Sequence, residues 1–153
     1  MAQIVLLDTG PLGLVTHPKA ATKNAEAAEW LRNLITADIA VLVPEICDYE
    51  LRRELLRAGK ERSVAVLDRY KETLGYIPLT TDAMIRAATF WSIARQGGKP
   101  TAPDLALDAD AILAGQAATL ADGELDSDVL IATTNVGHLS RFVPAQEWQN
   151  ISP

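Results

Sequence analysis

Short, almost entirely apolar runs alternate along this chain with segments of helical spacing, and this alternation restricts the possible folds more than any other feature. The apolar runs lie at residues 3–7 (QIVLL), 39–43 (IAVLV) and 128–132 (DVLIA). Apolar runs this short, without polar alternation, are typical of strands that are buried on both faces of a sheet. Helical segments between such strands indicate a parallel sheet with helices on both sides.

Apolar residues at helical spacing fill the segments between the strands. Helices are predicted around 27–34, 46–57, 64–74, 84–94 and 108–120, with a cap at Thr80 or Thr81 and a stop at Gly59. Short strands are predicted at 76–79 and 148–151, a turn at 8–11 and a loop at 96–103. We therefore expect one α/β domain over 1–153, with a three-layer α/β/α arrangement around a central parallel sheet of four to five strands.

Length and composition fit a globular domain in the cytoplasm. The chain has 153 residues, of which 48% are hydrophobic. Cys47 is the only cysteine, so a framework of intrachain disulfides is excluded. No apolar run is long enough to cross a bilayer, and no basic residue precedes the first apolar stretch as it would in a signal peptide. We expect a cytoplasmic protein that has no membrane partner.

The net charge of −6 is unfavourable for binding nucleic acid, because phosphate contacts need a basic surface. A site filled by metal cations would invert part of this field. A local cluster of basic residues is formed by Arg52, Arg53, Arg57, Lys60 and Arg62. An ordinary solvated helix face explains this cluster better than a nucleic-acid surface does.

Polar side chains directly follow the first and the last of the long apolar runs. Asp8 ends the run at 3–7, and Thr133, Thr134 and Asn135 close the run at 128–132. In open parallel sheets, ligands bind beyond the carboxyl ends of the strands, near the point where the strand order reverses. Asp8 either caps the next segment or serves in a site at this edge, and its position alone favours neither interpretation.

Two further carboxylates lie on helices that can border the same crevice. Glu50 shares a helix face with Glu54, and the alternative for Glu50 is an ordinary surface ion pair with nearby arginines. Asp110 is expected in the first turn of the alanine-rich helix, shortly after Asp104 and Asp108. Capping of this helix is the alternative for these aspartates.

Carboxylate and amide oxygens without His or Cys partners suit Mg²⁺ or Mn²⁺ better than zinc. Crowded carboxylates repel one another, and a divalent cation removes that repulsion. The same cation can activate a water molecule and stabilise a phosphodiester transition state. The acidic residues therefore predict a magnesium or manganese site for phosphodiester hydrolysis.

Four segments, taken in order, resemble the PIN-domain family and, within it, the VapC-like toxins of toxin–antitoxin pairs. The segments are LLDTGPL at 6–12, YELRREL at 49–55, DADAILAGQA at 108–117 and IATTNVGHL at 131–139. The family pattern of Asp, Glu, Asp and then Asp or Asn corresponds to Asp8, Glu50, Asp110 and Asn135. The candidate supporting residues are Thr9, Asp108, Thr133 and His138.

The resemblance implies both an architecture and an activity. The sheet would have the middle strand order 3-2-1-4, so that Asp8 lies beside the turn at 133–135. The activity would be Mg²⁺- or Mn²⁺-dependent cleavage of RNA that leaves a 5′-phosphate, with Asp8, Glu50 and Asp110 holding the metal. The expected partners are the RNA substrate, a cognate antitoxin that binds near the acidic pocket and the helices of 44–74, and a second copy of the chain.

Two departures from the family pattern leave alternatives open. Asn135 replaces a charged ligand of many members, which weakens a second metal site. His138 stands where many members carry an aspartate, and it is either a phosphate contact or, in the favoured interpretation, a structural histidine. The alternative function is a degenerate PIN domain that binds RNA or protein without cutting. A nucleotide-binding domain is disfavoured because the sequence has no glycine-rich phosphate loop.

Overall fold

The computed structural model describes residues 2–19, 21–97 and 104–153, and it contains a parallel sheet of five strands in the order β3-β2-β1-β4-β5. The strands are β1 (Ala2–Leu7), β2 (Ala40–Pro44), β3 (Gly75–Ile77), β4 (Ser127–Thr133) and β5 (Ala145–Glu147). Every neighbouring pair is parallel. The α/β class predicted from the sequence and the middle order 3-2-1-4 implied by the family resemblance are confirmed.

Helices connect the strands and cover the sheet. They are α1 (Thr9–Thr16), α2 (Thr22–Thr36), α3 (Glu45–Arg57), α4 (Glu61–Thr73), α5 (Thr81–Gln96), α6 (Asp104–Gly123) and α7 (Val136–Leu139). Parallel neighbours need such crossovers, because the chain must return to the same end of the sheet before each strand. Within the described residues, no helix is long and apolar enough to cross a membrane.

The central strand β1 lies between β2 and β4 and forms the middle of the core. Val5, Leu6 and Leu7 are fully buried, as are Ile131 and Ala132 on β4. The register pairs Leu7 with Ala132, so both strands end at the same edge of the sheet. The run of apolar residues in the carboxyl-terminal part of each strand follows from this burial on both faces.

The segment at 8–11, predicted to turn, instead begins helix α1 directly after β1. The Asp8 carboxylate accepts a hydrogen bond from the Thr9 backbone N–H and so caps the helix. Pro11 lies in the first helical turn, where its missing N–H has no intrahelical partner to lose. The dipeptide signal Gly-Pro was therefore compatible with both a turn and a helix start.

Several predicted boundaries shift by a few residues. Helix α6 begins at Asp104 instead of 108, so Asp110 lies in its second turn and not in its first. The last strand lies at Ala145–Glu147, and the region predicted as strand, 148–151, begins with a 3₁₀ turn at Trp148–Asn150. Most of the loop predicted at 96–103 lies outside the described residues, whereas Gln96 ends helix α5.

The helix stop at Gly59 is confirmed. Gly59 has a φ of 68°, a left-handed conformation that glycine adopts without steric strain. The Lys60 backbone N–H donates to the Leu55 carbonyl at 2.8 Å, which closes the end of α3. Thr80 caps α5 by accepting from the Ala83 backbone N–H, which confirms one of the two predicted caps.

Replacement of Gly115 by Ala should destabilise the protein. A Cβ at Gly115 on α6 would lie far inside van der Waals contact of the Ala83 carbonyl oxygen on α5. Overpacking of this kind typically costs about 1–3 kcal/mol, and we expect urea denaturation to show a loss in that range. The matched control is Gly123→Ala on the same helix, where nothing lies within 4 Å of the new Cβ. Equal midpoints for the two variants would contradict the close α5–α6 contact.

Candidate active site

Asp8 occupies the carboxyl end of the central strand, at the edge where β1 and β4 end. Its backbone N–H donates to the Ala132 carbonyl at 3.0 Å, which extends the ladder past β1. One carboxylate oxygen accepts from the Thr9 N–H at 2.8 Å, and the other accepts from the Thr133 hydroxyl at 2.7 Å. The two interpretations of Asp8 are thus compatible, since one oxygen caps a helix and the other faces β4.

Glu50 reaches the same edge from the second turn of α3. Its Oε1 atom accepts a hydrogen bond from the Thr9 hydroxyl at 3.0 Å. Thr9 therefore links the two predicted ligands, because its backbone binds Asp8 and its side chain binds Glu50. Glu54, one turn later on α3, forms an exposed ion pair with Arg57 instead.

Asp110 approaches from α6 and lies next to His138. The distance between His138 Nδ1 and Asp110 Oδ2 is 3.5 Å. The Asn135 side-chain nitrogen lies 3.0 Å from the same His138 Nδ1 atom. Because Nδ1 carries either a lone pair or a hydrogen, it can accept from Asn135 in one protonation state and face the Asp110 carboxylate as a donor in another.

The charges of the three carboxylates influence one another, which indicates that they share one region. Burial, followed by the charge of Asp8, raises the pKa of Asp110 to about 6, whereas His138 and Arg141 oppose the rise. Burial also raises the pKa of Glu50 above its usual 4.5, with a smaller contribution from Asp8. Desolvation and like-charge repulsion both disfavour the ionised form, so this edge would favour a bound cation.

Of the supporting residues predicted from the sequence, some contact these carboxylates and Asp108 lies elsewhere. Thr9 and Thr133 bind Glu50 and Asp8 directly. Asp108 is exposed and lines a cavity of 310 Å³ between α5 and α6, together with Trp91. Unlike Asp110, Asp108 therefore borders the groove along α5.

Sequence reasoning missed two arrangements on α3. Asp48 is only 6% exposed and binds Arg52 at 2.9 Å, the Tyr76 hydroxyl at 3.3 Å and Lys71 at 3.6 Å. Arg52 also binds Asp68 on α4, so Asp48 joins α3, α4 and β3. An aspartate beside an apolar residue in an amphipathic helix is a common pattern, and no sequence signal distinguishes this one.

The second missed arrangement is the position of the single cysteine. Cys47 is buried, and its Sγ atom lies 3.8 Å from an Asp8 oxygen. Burial raises the pKa of this thiol well above its usual range, and the charge of Asp8 adds to the effect. Cys47 therefore packs as a neutral thiol in contact with Asp8, a neighbour that the sequence did not indicate.

Asn135 leaves β4 with its backbone N–H bound to the Thr133 hydroxyl at 2.9 Å. The Thr133 hydroxyl therefore accepts from Asn135 and donates to Asp8, which fixes the exit of β4 beside β1. Gly10 completes this contact, since a Cβ there would lie 2.7 Å from the Thr134 hydroxyl oxygen. The polar exit of β4 is thus tied to the start of α1.

The side chains of the described residues do not form a ready-made metal site. In the described ranges, no three His, Cys, Asp or Glu side chains stand in a geometry that could hold a metal ion. The Asp8 oxygens are instead occupied by Thr9 and Thr133, and a Glu50 oxygen by Thr9. The donor set is suited to a hard divalent cation in its chemistry, but these side chains would have to come closer together to share one.

Comparison with known proteins reveals similarity at the level of structure. No model of a protein family matches the chain, and no curated protein matches it either. The crystal structure of VapBC2 from Rickettsia felis, bound to a DNA fragment from its promoter, contains a chain with a TM-score of 0.69 and 17% identity. The match covers 95% of this chain and 99% of that one.

Two further VapBC structures give the same result. VapBC-1 from nontypeable Haemophilus influenzae matches with a TM-score of 0.67 and 15% identity, over 97% of this chain and 100% of the other. DNA-bound VapBC from Salmonella typhimurium matches with a TM-score of 0.64 and 18% identity, over 97% and 99%. The three-layer α/β fold predicted from the alternation of strands and helices is therefore confirmed, and this chain shares it with chains of the VapBC structures.

Proposed function

We propose that this protein is a metal-dependent endoribonuclease and the toxin of a toxin–antitoxin pair. The observation that carries the proposal is the contact of one residue, Thr9, with both Asp8 and Glu50 at the carboxyl edge of the sheet. The charge of Asp8 also raises the pKa of Asp110, after the larger effect of burial. Structural likeness to VapBC proteins supports the toxin assignment. The cytoplasm is the corresponding location, because a toxin of this kind acts on cellular RNA.

Asp8, Glu50 and Asp110 are the residues that would hold Mg²⁺ or Mn²⁺. When bound, such an ion supplies Lewis-acid stabilisation of the phosphodiester and lowers the pKa of a coordinated water. The residues of this chain orient the ligands: Thr9 positions Glu50, and Thr133 positions Asp8. His138 lies beside Asp110 and contacts Asn135, and in this proposal both residues would face the substrate.

A non-cutting domain that binds RNA or protein remains the second candidate. Two observations favour it: the absence of a preformed metal geometry in the described residues, and a neutral Asn135 in place of a fourth charge. The raised pKa of Asp110 supports the nuclease, because a cation stabilises the ionised form of a carboxylate that is buried and lies near the charge of Asp8.

We expect antitoxin-free protein to cleave structured RNA with Mg²⁺ or Mn²⁺ and to lose that activity in EDTA. The measurement is gel analysis of RNA fragments, with end-group mapping for the 5′-phosphate. Metal binding without cleavage of any RNA across a broad set would favour the non-cutting domain. Cleavage that persists in EDTA would contradict the metal-dependent mechanism.

An antitoxin partner is proposed for the surface of α3 and α4. Leu56 is 63% exposed and lines a cavity of 230 Å³ at the corner between these helices. A protein partner that covered this side chain would remove its apolar surface from water. Two arginines of the basic cluster on these helices form ion pairs within the chain: Arg52 binds Asp48 and Asp68, and Arg57 binds Glu54.

We also expect the protein to form a homodimer in solution. Helix α5 exposes large apolar side chains that a second copy would cover: Met84, Ile85, Trp91 and Ile93. Light scattering at tens of micromolar, roughly the regime of a weak interface, should give twice the chain mass. Ile85→Glu should shift the protein toward the monomer, whereas Leu125→Glu, at an exposed residue outside α5, should leave it unchanged. A monomeric unmodified chain under these conditions would contradict the dimer.

A further inference from the structure

Two polar side chains approach the same ring atom of His138. Its Nδ1 atom lies 3.5 Å from Asp110 Oδ2 and 3.0 Å from the Asn135 side-chain nitrogen. A neutral ring carries either a lone pair or a hydrogen on Nδ1. The lone pair accepts from Asn135 but repels the Asp110 carboxylate, whereas the hydrogen suits the carboxylate but faces the amide hydrogens. In this orientation of the amide, each state of the neutral ring therefore leaves one contact unfavourable.

A cation bound at Nδ1 would be compatible with both neighbours. Two donors that bind one cation at about 2.1 Å with a tetrahedral angle are about 3.4 Å apart. The distance between His138 Nδ1 and Asp110 Oδ2 agrees with this separation. Rotation of the Asn135 amide about its Cβ–Cγ bond exchanges its nitrogen and oxygen, so that the oxygen can become a third donor. After that rotation, the three side chains supply one nitrogen and two oxygen ligands.

Backbone hydrogen bonds hold His138 and Asn135 in this arrangement. Asn135 directly precedes α7, and His138 lies three residues later within it. The Asn135 N–H donates to the Thr133 hydroxyl at 2.9 Å, and the His138 N–H donates to the Asn135 carbonyl at 3.3 Å. The His138 carbonyl in turn accepts from Arg141 Nε at 3.0 Å. The ring and the amide are therefore positioned before a cation arrives, which reduces the ordering that binding requires.

The cluster is partly exposed and lies in a region of negative charge. The side chains of His138 and Asp110 are 27% and 20% exposed, so an ion from solvent can reach them. Burial, and then the charge of Asp8, raises the pKa of Asp110 to about 6. Glu50 adds a smaller rise, whereas His138 and Arg141 oppose it. A divalent cation beside Asp110 would offset the repulsion among the three carboxylates.

We propose that His138 Nδ1 and the Asp110 carboxylate bind a divalent transition-metal ion that accepts nitrogen ligands, such as Ni²⁺ or Zn²⁺, with Asn135 as the third ligand. This inference rests on the proposed function for the role of Asp110 as a ligand, and it specifies the class of cation. Imidazole suits Ni²⁺ and Zn²⁺, whereas Mg²⁺ prefers oxygen ligands and keeps several waters. The preference for Mg²⁺ or Mn²⁺ inferred from the sequence depended on carboxylates without a histidine partner, and His138 is such a partner.

An ion pair between a protonated His138 and Asp110 is the alternative. In that state the Nδ1–H group donates to the carboxylate, and a rotated Asn135 amide can accept from the same hydrogen. This arrangement needs no metal, so removal of the ring would have little effect on metal affinity. The two arrangements differ in what is bound to Nδ1, and that difference can be measured.

Calorimetric titration of the EDTA-stripped protein at pH 8 tests the inference with Ni²⁺ and Mg²⁺. In His138→Gln we expect Ni²⁺ affinity to fall at least about tenfold, since loss of even an outer-shell partner costs that much, while Mg²⁺ affinity stays nearly unchanged. His138→Asp should also lose Ni²⁺ affinity, because it replaces a nitrogen ligand by oxygen, but it should retain Mg²⁺ affinity. Unfolding midpoints in EDTA establish that each variant is folded.

His17→Gln is the matched control, since His17 is the other histidine of the chain. It is exposed, and its Nδ1 atom accepts from the Lys19 N–H at 3.1 Å. This variant should leave the affinities for Ni²⁺ and Mg²⁺ unchanged. Equal Ni²⁺ affinities for His138→Gln and the unmodified chain would overturn the inference.

Nitrogen NMR of the histidine rings identifies the bound atom directly, because Zn²⁺ is diamagnetic and shifts the resonance of the nitrogen that binds it. We expect saturation with Zn²⁺ to shift the resonance of His138 Nδ1 and to leave the His17 ring unchanged. An unchanged Nδ1 resonance would overturn the inference in favour of the ion pair with Asp110.

The same measurements separate this inference from the nuclease proposal. Zn²⁺ bound at His138 Nδ1, without cleavage of any RNA by the unmodified chain, would support the inference and contradict the nuclease. Cleavage of RNA in Mg²⁺, with no shift at Nδ1 in Zn²⁺, would overturn the inference and leave the nuclease proposal intact.

Discussion

Replacement of Asp8 by Asn should abolish metal-dependent RNA cleavage while the fold remains intact. The amide has nearly the same shape, and its oxygen can still accept from the Thr9 N–H. The amide nitrogen would face the Thr133 hydroxyl, which can rotate to accept instead of donate. One negative charge is lost at the end of the central strand, between the regions of Glu50 and Asp110.

The expected loss of rate is about 10²–10³-fold for one missing transition-state charge interaction, and larger if the metal no longer binds. Cleavage assays at several Mn²⁺ concentrations separate these two effects, since weakened metal affinity is overcome by excess Mn²⁺. Asp128→Asn is the control, because it makes the same exchange at an exposed residue near the amino end of β4. Unchanged activity in Asp8→Asn, with the control also active, would rule out Asp8 as a ligand.

Asn135→Asp should act in the opposite direction to Asp8→Asn. It adds a negative charge close to His138 and Asp110, in the place of the fourth acidic residue of the family pattern. We therefore expect tighter Mn²⁺ binding and higher activity at limiting metal. Lower metal affinity in this variant would contradict the placement of Asn135 beside the metal.

Replacement of Asp110 by Asn should stabilise the metal-free protein at pH 8, although it should remove activity. Burial and the neighbouring Asp8 raise the pKa of Asp110 from 3.8 to about 6, so the folded protein binds more protons than the unfolded chain between these values. Stability therefore falls as the pH rises through this window and stays lower above it. The difference corresponds to at most roughly 3 kcal/mol, which a neutral side chain would recover.

Urea denaturation in EDTA at pH 8 and at pH 4 measures this effect, with Asp128→Asn as the control for loss of one exposed charge. We expect the gain of Asp110→Asn to be large at pH 8 and nearly absent at pH 4. Addition of Mn²⁺ at pH 8 should reverse the order, since a ligand that binds only the folded state stabilises the unmodified protein more. Lower stability of Asp110→Asn in EDTA at pH 8 would show that Asp110 is not held in a repulsive, desolvated environment.

The sequence by itself determined the parallel sheet and the edge at which the site would lie. The runs at 3–7 and 128–132 are apolar after their first residue because these parts of β1 and β4 are buried on both faces, and this property is local. Asp8 and Thr133 were placed together once these strands were neighbours, because parallel strands end at the same edge. The strand order 3-2-1-4 itself came from the family resemblance and was confirmed by the structure.

Contacts between residues distant in sequence were decided only by the tertiary structure. The hydrogen bond from Thr9 to Glu50, the burial of Cys47 below Asp8 and the position of Arg141 beside His138 each depend on how helices pack on the sheet. Gln116 is an example. A glutamine on an alanine-rich helix is expected on the surface, but Gln116 is buried. Its side chain accepts from the Ile46 N–H and donates to the Ile77 carbonyl. Periodicity gives the face of a helix that is buried, but the partner of each polar group depends on which element the chain brings against that face.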